Sequence, residues 1–432
     1  MKINIVTTQL IKPSSPTPAE RRDYKLSFIE CQIPHFYIPL ILYYSAQKTS
    51  NVKQSQIFKW LKTSLSETLT HFYPMAGRIK GQTLIDCNDQ GILYAEAEVD
   101  GHLSDLLKNP EIQILDHLSP CKSSGRITDE RELLAIQVNF FKCGGLAIGI
   151  CHSHRIADGW SICSFIKAWA ATAAKAWGLS NNMVLEPVFN SAPLFPLRKT
   201  PDFEPDPETP PLQTPVEKFV TKRFVFDAPV IELLKSKAMA RWPGAKPTRV
   251  QVVSAYIWKS CMAANGVEEN GTSVISHPVN LRKRMIPPLP DTSFGNIFQM
   301  AHAVTSGAAA KDWIGLVEKI REAFGKINQS YGQKLLGENG CEVAENNFNE
   351  VGRFLVRKDV HGVRFSSWCG FPIFEADFGW GNPIWVSSTS FSCKNHVFLF
   401  DSRSPGGIEA WIVMAEKEVA KFEQEVDLLT MN

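Results

Sequence analysis

The chain has 432 residues, of which 44% are hydrophobic and 21% are charged. Its 46 basic and 44 acidic side chains leave a formal net charge of +2, which gives no support to binding of nucleic acid or of a membrane surface. The length suggests two or three domains of roughly 100–200 residues, and the partner we expect is a small molecule.

The N-terminal residues show no signal-peptide pattern, because residues 1–25 lack an apolar core. The most apolar early run, residues 36–44, is far shorter than the ~20 residues that span a bilayer. The ten cysteines form no C-x-x-C pair, which favours free, buried thiols in a reducing compartment. Four of them lie in apolar runs: Cys143, Cys151, Cys163 and Cys261. We expect a monomer in the cytoplasm.

The first clear period predicts a helix over residues 56–71, with an apolar face of Phe58, Leu61, Leu65 and Leu69. Residues 84–87 and 92–99 are typical of short strands joined by a turn. Residues 133–141 and 146–152 predict a strand pair around the turn Cys143-Gly144-Gly145. A tight loop and a helix follow, with Ser161 as its expected N-cap and Gly178 as its stop.

Residues 193–215 hold eight prolines and four acidic residues, a composition typical of an inter-domain linker. The linker separates an N-terminal domain, 1–192, from a C-terminal domain, 216–432, with a cleft expected between them. In the second half, the patterns predict helices and strands in irregular order, and the class is therefore mixed α and β. The predicted helices cover 230–241, 250–264 and 313–329, and the predicted strands cover 272–279, 294–304 and short stretches from 362 to 413.

The strongest local candidate for chemistry is the segment His152-Ser153-His154-Arg155-Ile156-Ala157-Asp158-Gly159. A histidine with a pKa near 6.5 can take a proton from a substrate hydroxyl at neutral pH. His154 lies at the mouth of the predicted loop, although a strand-end histidine is often only hydrogen-bonded and Asp158 before a helix is often an N-cap. His152 and His154, with Asp158, also leave open a metal-dependent hydrolase.

A second candidate is Asp377-Phe378-Gly379-Trp380-Gly381, which on its own reads as a tight turn. Two familiar phosphate-binding motifs are missing from the sequence, G-x-x-x-x-G-K-[ST] and a complete G-x-G-x-x-G. Residues 159–163 lack the final glycine of a nucleophile elbow, which disfavours a serine hydrolase.

Together, His-x-x-x-Asp-Gly and Asp-Phe-Gly-Trp-Gly resemble the motifs of the BAHD family of plant acyl-CoA-dependent acyltransferases. The resemblance is greatest to the alkaloid-acetylating subgroup that contains vinorine synthase and salutaridinol acetyltransferase. It departs at residues 28–31, Phe-Ile-Glu-Cys, where that subgroup tends to have Leu-Asp-Gln, near the expected entrance of the substrate pocket. Further matching segments lie along the whole chain: IKPSSPTP at 11–18, HFYPMAGRI at 71–79, KRFVFD at 222–227, VNLRKRMIPPL at 279–289, SSWC at 366–369 and GIEAW at 407–411.

The resemblance implies an α/β, two-domain chloramphenicol acetyltransferase-like fold with a solvent channel between the domains. A late segment, about 382–403, should return to the N-terminal domain, while the loop 377–381 is assigned to the C-terminal domain. Implied roles are general base for His154 and a structural pair for Asp158 and Arg282. Asp377, Gly379, Trp380 and Gly381 should shape the channel.

These inferences predict an O-acyltransferase that uses acyl-CoA, with acetyl-CoA expected, and a hydroxyl of a hydrophobic alkaloid or terpenoid. No metal and no permanently bound cofactor are expected. The oxyanion donor could be the Trp380 indole or a nearby hydroxyl. The alternative is a ligand-binding protein of the same fold without catalysis. The segment 246–249 and the pair Lys283-Arg284 supply basic positions for the CoA phosphates, and the residues expected to meet them are Thr248, Arg249, Lys283 and Arg284.

Overall fold

The computed structural model describes residues 1–46, 53–121, 131–178, 185–197, 218–244, 246–391 and 393–431, with side chains described up to residue 426. The chain divides into two compact units. The first consists of Met1–Thr200, Leu289–Ile297 and Phe371–Phe391, and the second consists of Pro201–Pro288, Phe298–Gly370 and Ser392–Asn432. The predicted mixed α/β class with two sheet-containing units is confirmed. The channel that the resemblance implies stays a prediction.

The first unit contains a six-stranded sheet of order β1-β6-β7-β8-β3-β13 and a small antiparallel sheet of order β2-β5-β4. In the large sheet only β6 and β7 pair in parallel. The strands are β1 Lys2–Ile11, β2 Asp23–Lys25, β3 Tyr37–Tyr44, β4 Arg78–Lys80, β5 Leu84–Asp86, β6 Ile92–Asp100, β7 Leu134–Phe141, β8 Leu146–Ser153 and β13 Trp385–Ser387. The helices are α1 Phe28–Cys31, α2 Gln54–His71, α3 Leu103–Lys108, α4 Ile112–His117, α5 Gly159–Ala176 and α6 Ser191–Leu194.

The second unit contains a six-stranded sheet of order β11-β10-β12-β14-β15-β9. Strand β12 pairs in parallel with both of its neighbours, and the other pairs are antiparallel. The strands are β9 Phe219–Phe226, β10 Thr272–Asn280, β11 Phe298–Ser306, β12 Val360–Ser367, β14 His396–Asp401 and β15 Ile408–Ala415. The helices are α7 Ala228–Arg241, α8 Arg249–Ala264, α9 Trp313–Lys326, α10 Gln329–Leu336, α11 Gly340–Leu355 and α12 Val419–Met431.

The predicted strand-turn-strand-loop-helix order around His154 is confirmed by β7, β8 and α5. In α5, apolar residues at helical spacing bury one broad face, which includes Phe165 and Trp169. The helix ends just before Gly178, whose φ of +69° favours glycine. The predicted N-cap was wrong, because Asp158, and not Ser161, caps the helix.

The division of the chain corrects one predicted boundary. The loop 377–381 lies in the first unit, so its assignment to the C-terminal domain is wrong. The physical reason is strand pairing, since β13 follows the loop directly and pairs antiparallel with β3. The returning segment is therefore Phe371–Phe391, and the later part of the predicted segment, β14, belongs to the sheet of the second unit. Most of the predicted linker, 198–215, lies outside the described residues.

The cysteines also depart from the prediction of free thiols. The structure joins the sulfur atoms of Cys121 and Cys151 in a disulfide, because the segment after α4 packs against β8. Cys163 and Cys261 are buried as expected, and Cys143 is half-buried. None of the helices in the described part of the chain is both long and apolar enough to cross a membrane.

Candidate active site

His154 is held at the end of β8 by contacts from the strand beside it. Its backbone N–H donates to the Phe36 carbonyl at 3.0 Å, and the Phe36 ring packs edge-on against the imidazole, with ring centroids 5.3 Å apart. The residue is half-buried, whereas His152, two residues earlier in the strand, is only 1% exposed. His154 is therefore partly accessible at the end of the strand, whereas His152 is enclosed.

Burial lowers the pKa of His154, while the Asp158 carboxylate and the Asn296 side chain are among the groups that act in the opposite direction. A lowered pKa keeps the imidazole neutral at pH 7, which is the form that can accept a proton. Burial and the neighbouring His154 lower the pKa of His152 to about 3. His152 therefore stays neutral and enclosed over the physiological range.

Asp158 uses both carboxylate oxygens to hold backbone. Oδ1 accepts from the Ser161 N–H at 2.8 Å, which caps α5, and Oδ2 accepts from the Ile297 N–H at 3.0 Å. The residue is 6% exposed. A carboxylate engaged with two backbone donors is suited to hold a loop and poorly suited to take a proton from substrate.

The structure adds a segment that the sequence did not single out, residues 295–297. The Asn296 amide donates to the His154 carbonyl at 2.7 Å, and the Ser161 hydroxyl and the Gly295 backbone exchange hydrogen bonds at 2.8 and 3.0 Å. The sequence predicted a strand over 294–304, but β11 begins only at Phe298. The signal present in the sequence was the Gly295-Asn296 pair, because glycine readily adopts backbone conformations that other residues avoid. In the structure Gly295 has such a conformation, with a φ of +127°.

Arg282 lies in the second unit and is fully buried. Its backbone N–H and its Nη1 both donate to the Asn280 side-chain oxygen, at 3.0 and 3.2 Å. The predicted pairing of Arg282 with Asp158 stays a prediction.

The loop 377–381 is a turn tied by its own aspartate. Asp377 Oδ1 accepts from the N–H groups of Gly379 and Gly381 at 2.7 Å each, and both glycines have a φ of +102°. Trp380 is buried in an aromatic cluster, 4.9 Å from the Trp177 ring and 6.0 Å from the Tyr44 ring by centroids. The Trp380 side chain therefore belongs to the core of the first unit, while Asp377 is exposed at its surface.

The position of Trp380 excludes it as an oxyanion donor next to His154. Trp177 lies 19 residues after Asp158 along α5, or about 28 Å at 1.5 Å per residue. Tyr44 lies eight residues after Phe36 along β3, or about 26 Å at 3.3 Å per residue. Trp380 contacts the far end of both elements, and the hypothesis of an indole donor is wrong.

The positions predicted to meet CoA phosphates have partners within the chain. The Thr248 side chain caps α8 by accepting from the Gln251 N–H at 3.2 Å. Arg249 donates to Asp401 at 2.9 Å, and Arg284 donates to the Ile327 carbonyl at 2.5 Å beyond the end of α9. Lys283 is exposed. Across the residues that the structure describes, no group of three or more His, Cys, Asp or Glu is placed to hold a metal ion.

Comparisons with known proteins agree with this architecture over the whole chain. A family model described as the Transferase family matches residues 1–429. Limonoid 21-O-acetyltransferase of Melia azedarach is 36% identical over 99% of this chain and 98% of its own length. Stemmadenine O-acetyltransferase of Catharanthus roseus is 36% identical over 98% of this chain and 97% of its own.

The crystal structure of vinorine synthase matches with a TM-score of 0.81 and 35% identity, over 97% of this chain and 96% of that one. The similarity extends over both units and includes the two-domain fold. The chain belongs to the BAHD transferase family and is an acyl-CoA-dependent acyltransferase.

Proposed function

We propose that the enzyme transfers an acetyl group from acetyl-CoA to a hydroxyl of a hydrophobic alkaloid or terpenoid alcohol. The support for the acceptor class is the similarity to acetyltransferases named for limonoids and for stemmadenine. The observation that carries the chemistry is the half-buried imidazole of His154 at the end of β8, whose pKa is lowered by burial. The predicted cytoplasmic location and monomeric state stay predictions.

In the proposed mechanism, His154 removes the proton from the acceptor hydroxyl as its oxygen attacks the thioester carbonyl of acetyl-CoA. The tetrahedral intermediate collapses with cleavage of the carbon–sulfur bond, and the protonated His154 returns the proton to the departing thiolate. Both substrates are bound together, so the protein needs no covalent nucleophile. The products are the acetyl ester and free CoA.

Asp158 is proposed to act structurally, by fixing the start of α5 and the segment 295–297. For CoA, Lys283 is a candidate for a phosphate contact on the surface of the second unit, because its side chain is exposed. Arg249 and Arg284 would have to exchange intramolecular partners for phosphate oxygens, which lowers the gain from such contacts. Thr248 would contribute to CoA binding from its position as the N-cap of α8.

The test is to incubate the protein with a panel of acyl-CoAs and alkaloid or terpenoid alcohols and to measure the release of free thiol. We expect thiol release that depends on both substrates, with the highest kcat/KM for acetyl-CoA. Intact-protein mass spectra taken during turnover should show no acyl adduct. Ligand binding without thiol release would favour the non-catalytic alternative, and a kinetically competent adduct would assign the reaction to a Cys or Ser nucleophile.

A further inference from the structure

The buried carboxylate of Glu30 is connected to His154 through one residue, Asn296, and has no part in the mechanism above. Glu30 belongs to α1, whose four residues are all buried, and its own side chain is 0% exposed. This helix is the segment where the sequence departs from the related subgroup. The residues of this helix are buried within the structure, and its expected place near the entrance of the substrate pocket stays a prediction.

The two oxygens of Glu30 connect three separate parts of the chain. Oε2 accepts from the Ser27 N–H at 2.6 Å, which closes a capping box on α1. Oε1 accepts from the Asn296 N–H at 3.1 Å and from the Ser191 hydroxyl at 3.1 Å. All of these residues belong to the first unit. Each oxygen is thus satisfied by at least one backbone donor, in a place where an unpaired donor would be costly.

Asn296 connects Glu30 to His154 through two hydrogen bonds. It is fully buried, and while its backbone is held by Glu30, its side-chain amide donates to the His154 carbonyl at 2.7 Å. The approach of Glu30 to this segment also needs the glycine before Asn296. A Cβ at Gly295 would overlap Glu30 Oε1 and the Ser191 side chain.

We propose that Glu30 is a positioning residue for acyl transfer, which fixes Asn296 and through it the orientation of His154. The proposal rests on the proposed function, in which His154 is the base. A base that is displaced by about 1 Å can lose up to 10²-fold in rate, so a rigid support two contacts away affects kcat. Substrate binding is a separate matter, since Glu30 is enclosed within the first unit.

The competing explanation is that Glu30 only caps α1, and the chain offers a matched control for it. Ser27→Ala removes the hydroxyl that accepts from the Glu30 N–H at 3.2 Å but leaves the bond from Asn296 to Glu30 in place. Glu30→Gln keeps the size of the side chain but has a single acceptor oxygen. Its NH2 group must then face the N–H of either Ser27 or Asn296.

The experiment measures kcat and both KM values at pH 8, where Glu30 is mainly ionised, and the NMR titration of the His154 ring, in wild type, Glu30→Gln and Ser27→Ala. Loss of the corresponding signal in His154→Ala assigns the ring resonance. We expect Glu30→Gln to lower kcat about 10- to 100-fold, with KM values within about threefold, and to shift the titration midpoint of His154. Ser27→Ala should leave kcat and the midpoint near those of wild type.

Equal behaviour of Glu30→Gln and Ser27→Ala in kcat and in the titration overturns the proposal. If Glu30→Gln does not fold, Asn296→Ala interrupts the same connection one residue later and must reproduce the loss of kcat, and an unchanged kcat there also overturns it. If His154→Ala keeps full turnover while Glu30→Gln still shifts the ring titration, the positioning role stands and the assignment of the base fails.

Discussion

The proposed reaction depends at the residue scale on the imidazole of His154. We expect His154→Ala to fold normally and to lose about 10²–10⁴-fold in kcat, the usual contribution of a positioned acid–base group. The ring is half-buried and packs edge-on against Phe36, so we expect its removal to leave the core intact. The measurement is steady-state thiol release, with thermal unfolding to confirm the fold. The matched control is His71→Ala, an exposed histidine at the end of α2, which should keep wild-type turnover. Turnover of His154→Ala within a few-fold of wild type would contradict the mechanism.

Residues 152–159 could be identified from sequence because a strand end, a short loop and a helix start bring them together locally. Glu30 and Asn296 could not, because their hydrogen bond joins positions separated by 266 residues. Neither residue type indicates chemistry on its own, and the pattern around Asn296 favoured a strand. The contact exists only because the segment 289–297 returns to the first unit.

At the scale of the element, the start of α5 should depend on Asp158. Asp158→Ala removes the N-cap and strands the Ile297 N–H, and the two effects together should cost about 2–4 kcal/mol in the free energy of unfolding. Urea denaturation measures this cost. Asn328→Ala, which removes the exposed N-cap of α10, is the control and should cost about 1 kcal/mol. An inactive Asp158→Ala protein with wild-type stability would show that Asp158 has a chemical role.

The loop 377–381 should stabilise the first unit without taking part in catalysis. Trp380→Phe removes an indole N–H that has no hydrogen-bond partner in the described structure and keeps an aromatic ring in the cluster. We expect a loss of about 1–3 kcal/mol in stability and a kcat within about twofold of wild type. Kinetics well below the unfolding temperature separate the two effects. A fall in kcat of about 10²–10³-fold, the size seen when an oxyanion donor is lost, would contradict the distances along α5 and β3.

Sequence patterns located this loop but assigned it to the wrong unit, for a reason that belongs to the element scale. The turn is specified by Asp377 and two glycines, which are local features. The partner of the strand that follows is β3, more than three hundred residues earlier, and no local period indicates such a pairing. Helices such as α2 and α8 were predicted well because their apolar faces repeat within the element itself.

For the whole molecule, four buried groups with strongly shifted pKa values make stability depend on pH, and the lowered pKa of His154 acts in the same direction as the other histidines. Burial lowers the pKa of His152 and of His277 to about 3 and that of His361 to about 4, while burial raises the pKa of Glu30 to about 7. In the unfolded chain histidine titrates near 6.5 and glutamate near 4.3. The three histidines therefore contribute stability that is present above pH 6.5 and is lost as the pH falls toward 4. Glu30 acts in the opposite direction, since its contribution is present below pH 4.3 and is lost as the pH rises through 7.

As the pH falls from about 7 to about 5, the unfolded chain gains about three protons at the histidines, while the folded chain gains about one proton at Glu30. The net difference of about two protons predicts a loss of about 2.7 kcal/mol per pH unit between pH 6 and pH 5, measurable by urea denaturation at stepped pH. His277→Leu should lower that slope by about 1.4 kcal/mol per pH unit, the contribution of one proton, because it removes one buried neutral imidazole. The control is Leu234→Ala, which truncates a buried leucine in α7, a helix that holds none of the four groups, and it should lower stability by a similar amount at every pH. If His277→Leu leaves the slope unchanged, His277 is not the source of the acid sensitivity, and the proton balance must come from other groups.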